Sequence, residues 1–190
     1  MKLCPYGVAL SALLATQAAA QDFEAAAQEY FNTEISKWAN AQILVDAVNA
    51  QNTQTATFSQ AQIDELDEAW RAEVGTSNTP TITPVLNNSA SAFLRDQVSG
   101  SGTAITEVFI MDAQGLNVAA SDMTSDYWQG DEAKHSETYG AGPDGFHISE
   151  IEFDDSTQRY QAQVSFTLID PATGSAIGAV TVGVDAESLM

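Results

Sequence analysis

The sequence predicts an α+β domain in which helices fill the N-terminal half and an antiparallel sheet fills the C-terminal half. Three observations predict this division. Residues 21–74 contain neither glycine nor proline, and their apolar residues recur at three- and four-residue steps, as in amphipathic helices. Residues 107–121 have the pattern of a β-hairpin, and two later segments alternate apolar and polar residues. Helices and strands that occupy separate parts of a chain are typical of α+β folds.

The first 20 residues have the pattern of a secretory signal peptide. Lys2 supplies a positive start, residues 8–14 form a short apolar segment, and a run of small residues ends at Ala20. The apolar segment is far shorter than the roughly 20 residues that span a bilayer. We therefore expect cleavage after Ala20 and a mature domain of residues 21–190 that is periplasmic or secreted and has no transmembrane segment.

The chain is strongly acidic, because 26 Asp and Glu residues against 6 Lys and Arg give a formal net charge of −20. Such a surface repels phosphates, so nucleic acid and anionic membranes are disfavoured as partners. The charge either keeps an exported protein soluble or attracts cationic ligands. Cys4 is the only cysteine and precedes the predicted cleavage point, so we expect no disulfide and no thiolate metal site in the mature domain.

A long amphipathic helix is predicted first, from about residue 21 to an end within the polar stretch of residues 49–57. Its apolar stripe consists of Phe23, Ala27, Tyr30, Ile35, Trp38, Ala41, Val45 and Val48. A second helix begins at Ser59, which forms a capping box with Gln62, and ends before Gly75. Its predicted buried face consists of Ile63, Leu66, Trp70 and Val74.

A third helix is predicted to begin with Thr83 as its N-cap and Pro84 in its first turn, and to end near residue 100. The hairpin follows, with strands over residues 107–112 and 116–121. After it comes an irregular acidic loop that carries two adjacent aromatic residues, Tyr127 and Trp128.

The remaining segments predict a short helix and three strands. Residues 131–139 form the helix, with Asp131 as its N-cap. Residues 146–153 form a strand in which the alternation changes phase, as a bulge requires. Residues 159–168 and 176–185 form two clearer strands, joined by the turn at 170–174.

The alternation of these two strands separates an apolar face from a polar face. The apolar face carries Tyr160, Ala162, Val164, Phe166 and Leu168 of one strand and Val180, Val182 and Val184 of the other. The polar face carries the predicted ligand-binding residues Gln161, Gln163, Ser165, Thr181 and Asp185. We predict that Tyr127 and Trp128 cover this face as an aromatic lid; the alternative is that both are ordinary core residues.

The order of these elements resembles the Cache, or PDC-sensor, family of PAS-like domains. The residues that carry the resemblance lie at 108–115, 125–131 and 177–185. It implies a PAS-like antiparallel sheet with a long N-terminal helix and additional helices, in a single Cache module. It also implies that a small metabolite binds on the sheet face opposite the long helix, under the loop that follows the hairpin.

The sequence departs from the family in two respects. Amino-acid-binding members have an Arg shortly before a Trp-Tyr pair, whereas no Arg precedes Tyr127 in this loop. Asp185 does resemble the acidic residue that holds a ligand amine, and Arg159 or Lys134 could hold a carboxylate. Family members usually belong to receptors with a transmembrane helix, whereas this chain ends at Met190, so we expect a stand-alone module that acts with a membrane receptor.

No pattern in the chain predicts an enzyme. The two histidines, His135 and His147, lack HExxH-like spacing, and no G-x-S-x-G motif is present. The acidic residues of the central loop do not match an EF-hand, so we predict no metal, no cofactor and no catalytic residue. The predicted function is an exported, stand-alone Cache-like domain that binds a small-molecule ligand for sensing. The alternative is a protein-interaction subunit that docks on a membrane sensor without a small ligand.

Overall fold

The computed structural model describes residues 21–154 and 158–190, in which helices pack against a six-stranded antiparallel sheet. The predicted signal peptide lies outside the described residues. The α+β architecture with an antiparallel sheet is therefore as the sequence predicts. Within the described ranges, no helix combines the length and the apolar composition that crossing a membrane requires.

The helices are concentrated before the sheet. Their bounds are 21–33 (α1), Gln42–Thr55 (α2), Gln60–Glu73 (α3), Ile82–Leu86 (α4), Ser89–Gly100 (α5), Ala133–Ser136 (α6) and Ala186–Leu189 (α7), with 3₁₀ turns at Ile35–Lys37 and Tyr139–Ala141. The strands are Ile105–Asp112 (β1), Asn117–Ala120 (β2), Phe146–Ile148 (β3), Glu152–Asp154 (β4), Arg159–Asp170 (β5) and Ser175–Asp185 (β6). The sheet order is β2-β1-β6-β5, and β3 and β4 both pair with the outer side of β5.

The predicted long N-terminal helix is wrong in one respect, because it is interrupted between α1 and α2 by the 3₁₀ turn. Thr33 and Ser36 direct their hydroxyls to the backbone carbonyls of Glu29 and Asn32. Such residues compete with regular helical hydrogen bonding and are weak helix formers. The interruption contains no glycine or proline, so the sequence gives no strong stop signal there.

The predicted start of the second helix is confirmed, since Ser59 and Gln62 form the reciprocal capping box. Gly75 follows its end with a φ of 76°, which only glycine adopts without strain. The predicted buried face is wrong at Val74, which is 39% exposed. Asp67 and Glu73 are buried instead, because their carboxylates accept backbone N–H groups from other segments.

The third predicted helix is two helices, α4 and α5. The first of them, α4, begins two residues earlier than expected, with Thr81 rather than Thr83 as its N-cap. Asn88 divides it, because the Asn88 side chain accepts the backbone N–H of Ser91 at 2.8 Å and so caps α5. The pattern of apolar residues continues across the break, and periodicity alone therefore did not reveal it.

The hairpin is confirmed, with β1 and β2 antiparallel and Gly115 in the turn at a φ of 83°. The next two predictions need correction. The short helix α6 begins after Glu132, not Asp131, and has a single turn. Residues 146–153 form two short strands with an interruption at 149–151 rather than one bulged strand.

The core lies between the helices and one face of the sheet. It contains Phe23, Ile35, Val45, Val48 and Leu94 from the helices, and Val108, Ile110, Val164, Val180, Val182 and Val184 from the strands. The predicted apolar face of β5 is confirmed except at Tyr160, which is 54% exposed. Tyr160 lies at the end of the sheet and packs edge-on against Phe153 of β4 instead of against a helix.

Candidate functional site

The sheet face opposite α2 and α5 brings together side chains from its three central strands. In register, Glu107 of β1, Gly183 of β6 and Gln163 of β5 lie side by side, and Phe109, Thr181 and Ser165 form the next row. The segment from the loop after the hairpin through α6 covers part of this face. Strand parity therefore assigned Gln161, Gln163, Ser165, Thr181 and Asp185 to one face correctly.

The larger of two cavities on this face lies beneath the loop of residues 121–130, and we call it the loop cavity. Its volume is about 440 Å³. It is lined by Val74, Glu107, Phe109, Met123, Thr124, Ser125, Asp126, Gln129, Lys134, Asp154 and Gln163. The cavity combines one aromatic ring with three carboxylates, two amides, two hydroxyls and one ammonium group, so several polar groups converge on it.

The second cavity lies beside the first, between α6 and the short edge strands, and we call it the edge cavity. Its volume is about 320 Å³. It is lined by Glu132, Ala133, Lys134, His147, Ser149, Glu150, Glu152, Phe153, Asp154, Gln161 and Gln163. Lys134, Asp154 and Gln163 line both cavities, so the two are neighbouring parts of one polar depression.

The 121–130 loop is attached to α3 by a buried carboxylate. Asp67 Oδ1 accepts the backbone N–H groups of Tyr127 and Trp128 at 2.9 and 3.0 Å. The other oxygen of Asp67 accepts Arg71 Nε at 2.8 Å, and Arg71 also lies 3.6 Å from the Asp126 carboxylate. The backbone next to residues 123–126, which line the loop cavity, is thus held by a helix about 60 residues away in sequence.

The same attachment turns the two aromatic side chains away from the polar face, so the predicted aromatic lid is corrected. Tyr127 stacks on the buried Trp70 with 5.2 Å between ring centroids and 9° between planes. Trp128 Nε1 donates to the Gln114 carbonyl at 2.8 Å, beside the hairpin turn. Neither residue lines the loop cavity or the edge cavity. The alternative, that both aromatics pack against the body of the domain, agrees with these contacts.

Glu107 is the acidic residue with the most unusual environment in the loop cavity. It is half-buried near the start of β1, and its Oε1 accepts a hydrogen bond from Gln163 Nε2 at 3.2 Å. Burial raises the pKa of Glu107 above its ordinary value of 4.5, although Gln163 and Lys134 act in the opposite direction. An acidic side chain with a raised pKa in a cavity is a frequent sign of a functional site.

Lys134 lines both cavities, but its ammonium group is already engaged. It lies 3.0 Å from the Glu132 carboxylate and donates to Gln129 Oε1 at 3.1 Å. It also lies 5.5 Å from the centre of the Phe109 ring. The predicted role of Lys134 in holding a ligand carboxylate would require it to give up these partners.

Four other predicted residues serve the sheet rather than the cavities. Ser165 and Thr181 are buried and hydrogen-bonded to each other at 3.0 Å. Arg159 and Asp185 form an ion pair at 2.5 Å at the end of the sheet. The structure therefore places the predicted amine anchor Asp185 and the predicted carboxylate contact Arg159 outside both cavities.

Asp185 has a further local role at the start of α7. Its Oδ1 accepts the backbone N–H of Glu187 at 2.9 Å, which makes it the N-cap. Burial by itself would raise the pKa of Asp185. The Glu187 N–H and the Arg159 guanidinium outweigh this effect and hold the pKa below its ordinary value of 3.8.

Sequence reasoning missed Glu107, Phe109 and Gln129 as lining residues of the loop cavity. A signal was present for the first two. Glu107 and Phe109 have the parity opposite to Val108 and Ile110, whose side chains are in the core, so they had to face the other side. No such signal exists for Gln129, because it lies in an irregular loop. Within the described residues, no group of three His, Cys, Asp or Glu side chains is arranged to hold a metal ion.

Comparison with solved structures identifies the fold. The sensor domain of the V. cholerae histidine kinase DctB superimposes with a TM-score of 0.50 over 95% of this chain, at 12% sequence identity. The chain has a Cache (PDC-sensor) fold. The chain spans 58% of the length of the DctB sensor domain. No protein-family model and no curated protein sequence matches the chain.

Two further structures are similar to this chain at lower TM-scores. The ligand-binding domain of the Campylobacter jejuni chemoreceptor Tlp3, solved with 4-methylisoleucine, has a TM-score of 0.42 and 13% identity. The match covers 85% of this chain and 64% of the Tlp3 domain. The extracellular domain of the putative histidine kinase rpHK1S-Z16 has a TM-score of 0.43 and 16% identity, with 82% and 60% of the two chains covered.

Proposed function

We propose that this Cache domain is an exported sensing domain that binds a small-molecule ligand in the loop cavity. The observation that carries the proposal is the loop cavity itself, about 440 Å³ between the polar sheet face and the anchored 121–130 loop. Cavities of roughly 300–1,000 Å³ with a few convergent polar groups are typical ligand sites. The neighbours of known role are sensor and chemoreceptor domains, which agrees with the proposal.

The attachment of the loop to α3 gives ligand binding a route to the rest of the domain. Residues 123–126 line the cavity, and Asp67 and Arg71 of α3 hold the adjacent backbone and the Asp126 carboxylate. A ligand that moves the loop must therefore act on α3. A sensing domain requires such a connection, because the ligand must change a surface that a membrane receptor can contact.

The experiment is a thermal-shift screen of the purified mature domain with amines, carboxylates and amino acids. A ligand that binds the folded state should raise the melting temperature in a saturable way. At a ligand concentration 100 times Kd, it increases the free energy of unfolding by about 2.7 kcal/mol. Gln163→Leu removes an amide that lines both cavities. We expect it to weaken binding about tenfold while the unliganded domain remains folded.

Gln97→Leu is the matched control, since Gln97 is half-buried on α5 and lines neither cavity. It should leave ligand affinity unchanged. If no compound shifts the melting temperature, the proposal is wrong and the docking function gains support. The structural feature that favours docking is the exposed apolar group formed by Ile151, Phe153 and Tyr160 at the edge of the sheet.

A further inference from the structure

The chemistry of the two cavities selects one class among the possible ligands. We infer that this site binds a linear organic cation with an amine at each end, one amine in the loop cavity and the other in the edge cavity. The inference rests on the proposed function and assigns its ligand class. It differs from the sequence prediction, because the residues that would hold the amines are not Asp185 or the Tyr127-Trp128 pair.

The charges that line the cavities favour a cation at both ends. Six carboxylates line the combined depression, namely Glu107, Asp126, Glu132, Glu150, Glu152 and Asp154. One ammonium group, that of Lys134, faces them, and it is paired with Glu132. His147 is the other basic residue of the lining and is paired with Glu137. An anionic ligand would therefore meet a net negative surface in either cavity.

A buried acceptor without a donor provides independent evidence at the edge cavity. Gln161 lines this cavity and is only 7% exposed. Its Nε2 donates to Asp154 Oδ2 at 2.9 Å, whereas its Oε1 has no hydrogen-bond partner among the described residues. A buried carbonyl oxygen without a partner is costly, and most are satisfied in folded proteins. The amine of a bound ligand is a donor of the kind that this oxygen lacks.

Glu107 is the corresponding acceptor in the loop cavity. Desolvation disfavours its charged form, and a cation placed beside it would reverse that effect by direct attraction. The ionisable groups whose charges reach Glu107 are Lys134, Asp154 and Asp122. The Lys134 ammonium is the favourable one, and it is shared with Glu132. The Lys134 ammonium compensates the half-buried Glu107 carboxylate only in part, and a ligand amine would supply a further positive charge.

The test compares 1,4-diaminobutane, 1-aminobutane and succinate, which share one carbon skeleton and differ in their end groups. Binding is measured by titration calorimetry on the mature domain at about 0.15 M salt, where non-specific attraction to an acidic surface is largely screened. We expect the diamine to bind with a defined stoichiometry of one. The monoamine should bind at least tenfold more weakly, and succinate should not bind.

Two variants locate the amines. Glu107→Gln keeps the size and the hydrogen bond to Gln163 but removes the charge, and it should weaken diamine binding about tenfold. Gln161→Leu should weaken the diamine more than the monoamine, because it affects the edge cavity alone. Glu68→Gln is the matched control, an identical charge change on the exposed side of α3, and it should leave the affinity unchanged.

The outcomes separate this inference from the proposed function. Binding of succinate or of an amino acid, without binding of the diamine, overturns the ligand class but leaves small-molecule sensing intact. Diamine binding that falls equally in Glu107→Gln and Glu68→Gln overturns the inference, because it reports the overall charge of the surface. If none of the compounds in the wider screen binds, the proposed function itself is wrong.

Discussion

At the scale of single residues, Glu107 is a carboxylate in an environment that disfavours its charge. Val108 and Ile110, its neighbours on the other face of β1, are fully buried in the core and stabilise the sheet. Glu107 faces the loop cavity, where burial makes its charge unfavourable. Functional sites commonly retain such groups at the expense of stability.

We predict that Glu107→Gln raises the melting temperature of the unliganded domain at pH 7, by a few degrees at most. Because the pKa of Glu107 is raised above 4.5 on folding, its charged form opposes folding at neutral pH. The gain should shrink as the pH falls through the raised pKa and should vanish below 4.5, where both states are protonated. Melting curves between pH 4 and pH 8 measure this dependence. A loss of stability at pH 7 would contradict it.

At the scale of elements, the side chains of β5 point alternately into the core and towards the cavities. Val164 points into the core and is fully buried, whereas Gln163 lines both cavities. The 121–130 loop has no such internal pattern. Its position depends on Asp67, Trp70 and Arg71 of α3, which contact its backbone and side chains directly.

Val164→Asp should destabilise the domain by several kcal/mol, because it buries a carboxylate without a partner among valine and phenylalanine side chains. Val74→Asp is the same substitution at a position that is 39% exposed, and it should cost less than about 1 kcal/mol. Chemical denaturation of the two variants measures the difference. Equal losses of stability would show that the side of β5 that faces the helices is not the core.

At the scale of the whole molecule, most of the acidic surface lies away from the site. Six of the 26 acidic residues line the two cavities. The remainder are distributed over the rest of the chain, where a high net charge disfavours aggregation. In our proposal, attraction of a cationic ligand concerns only the six carboxylates at the cavities, and the remaining charges take no part in it.

We predict that the mature protein begins at Gln21, since the small residues that end at Ala20 form a cleavage signal. Expression of the full chain in a secreting bacterial host, followed by intact-mass measurement of the exported fraction, tests this. Ala20→Arg should block cleavage and leave the precursor mass, whereas Gln21→Ala should still be cleaved. A mature mass that includes Cys4 would show that the prediction is wrong.

The sequence by itself determined the class of fold, the hairpin, the start of α3 and the two faces of β5 and β6. Each of these depends on local information. The capping box joins Ser59 to Gln62 within one turn. The two faces of each strand follow from the two-residue period of its sequence. The same two-residue period also places Glu107 and Phe109 on the side of β1 that faces the loop cavity. This placement depends on the apolar run being a strand whose second face is only partly covered.

Only the tertiary structure decided where the irregular segments place their side chains. Tyr127 and Trp128 turn away from the polar face because Asp67, about 60 residues earlier, binds their backbone N–H groups and Trp70 stacks on Tyr127. Asp185 lies outside both cavities because its carboxylate pairs with Arg159 and accepts the backbone N–H of Glu187 at the start of α7. Periodicity gives no orientation to a residue in a loop or at the end of a strand. There the direction of a side chain is set by partners that are distant in sequence, and these meet only when the chain has folded.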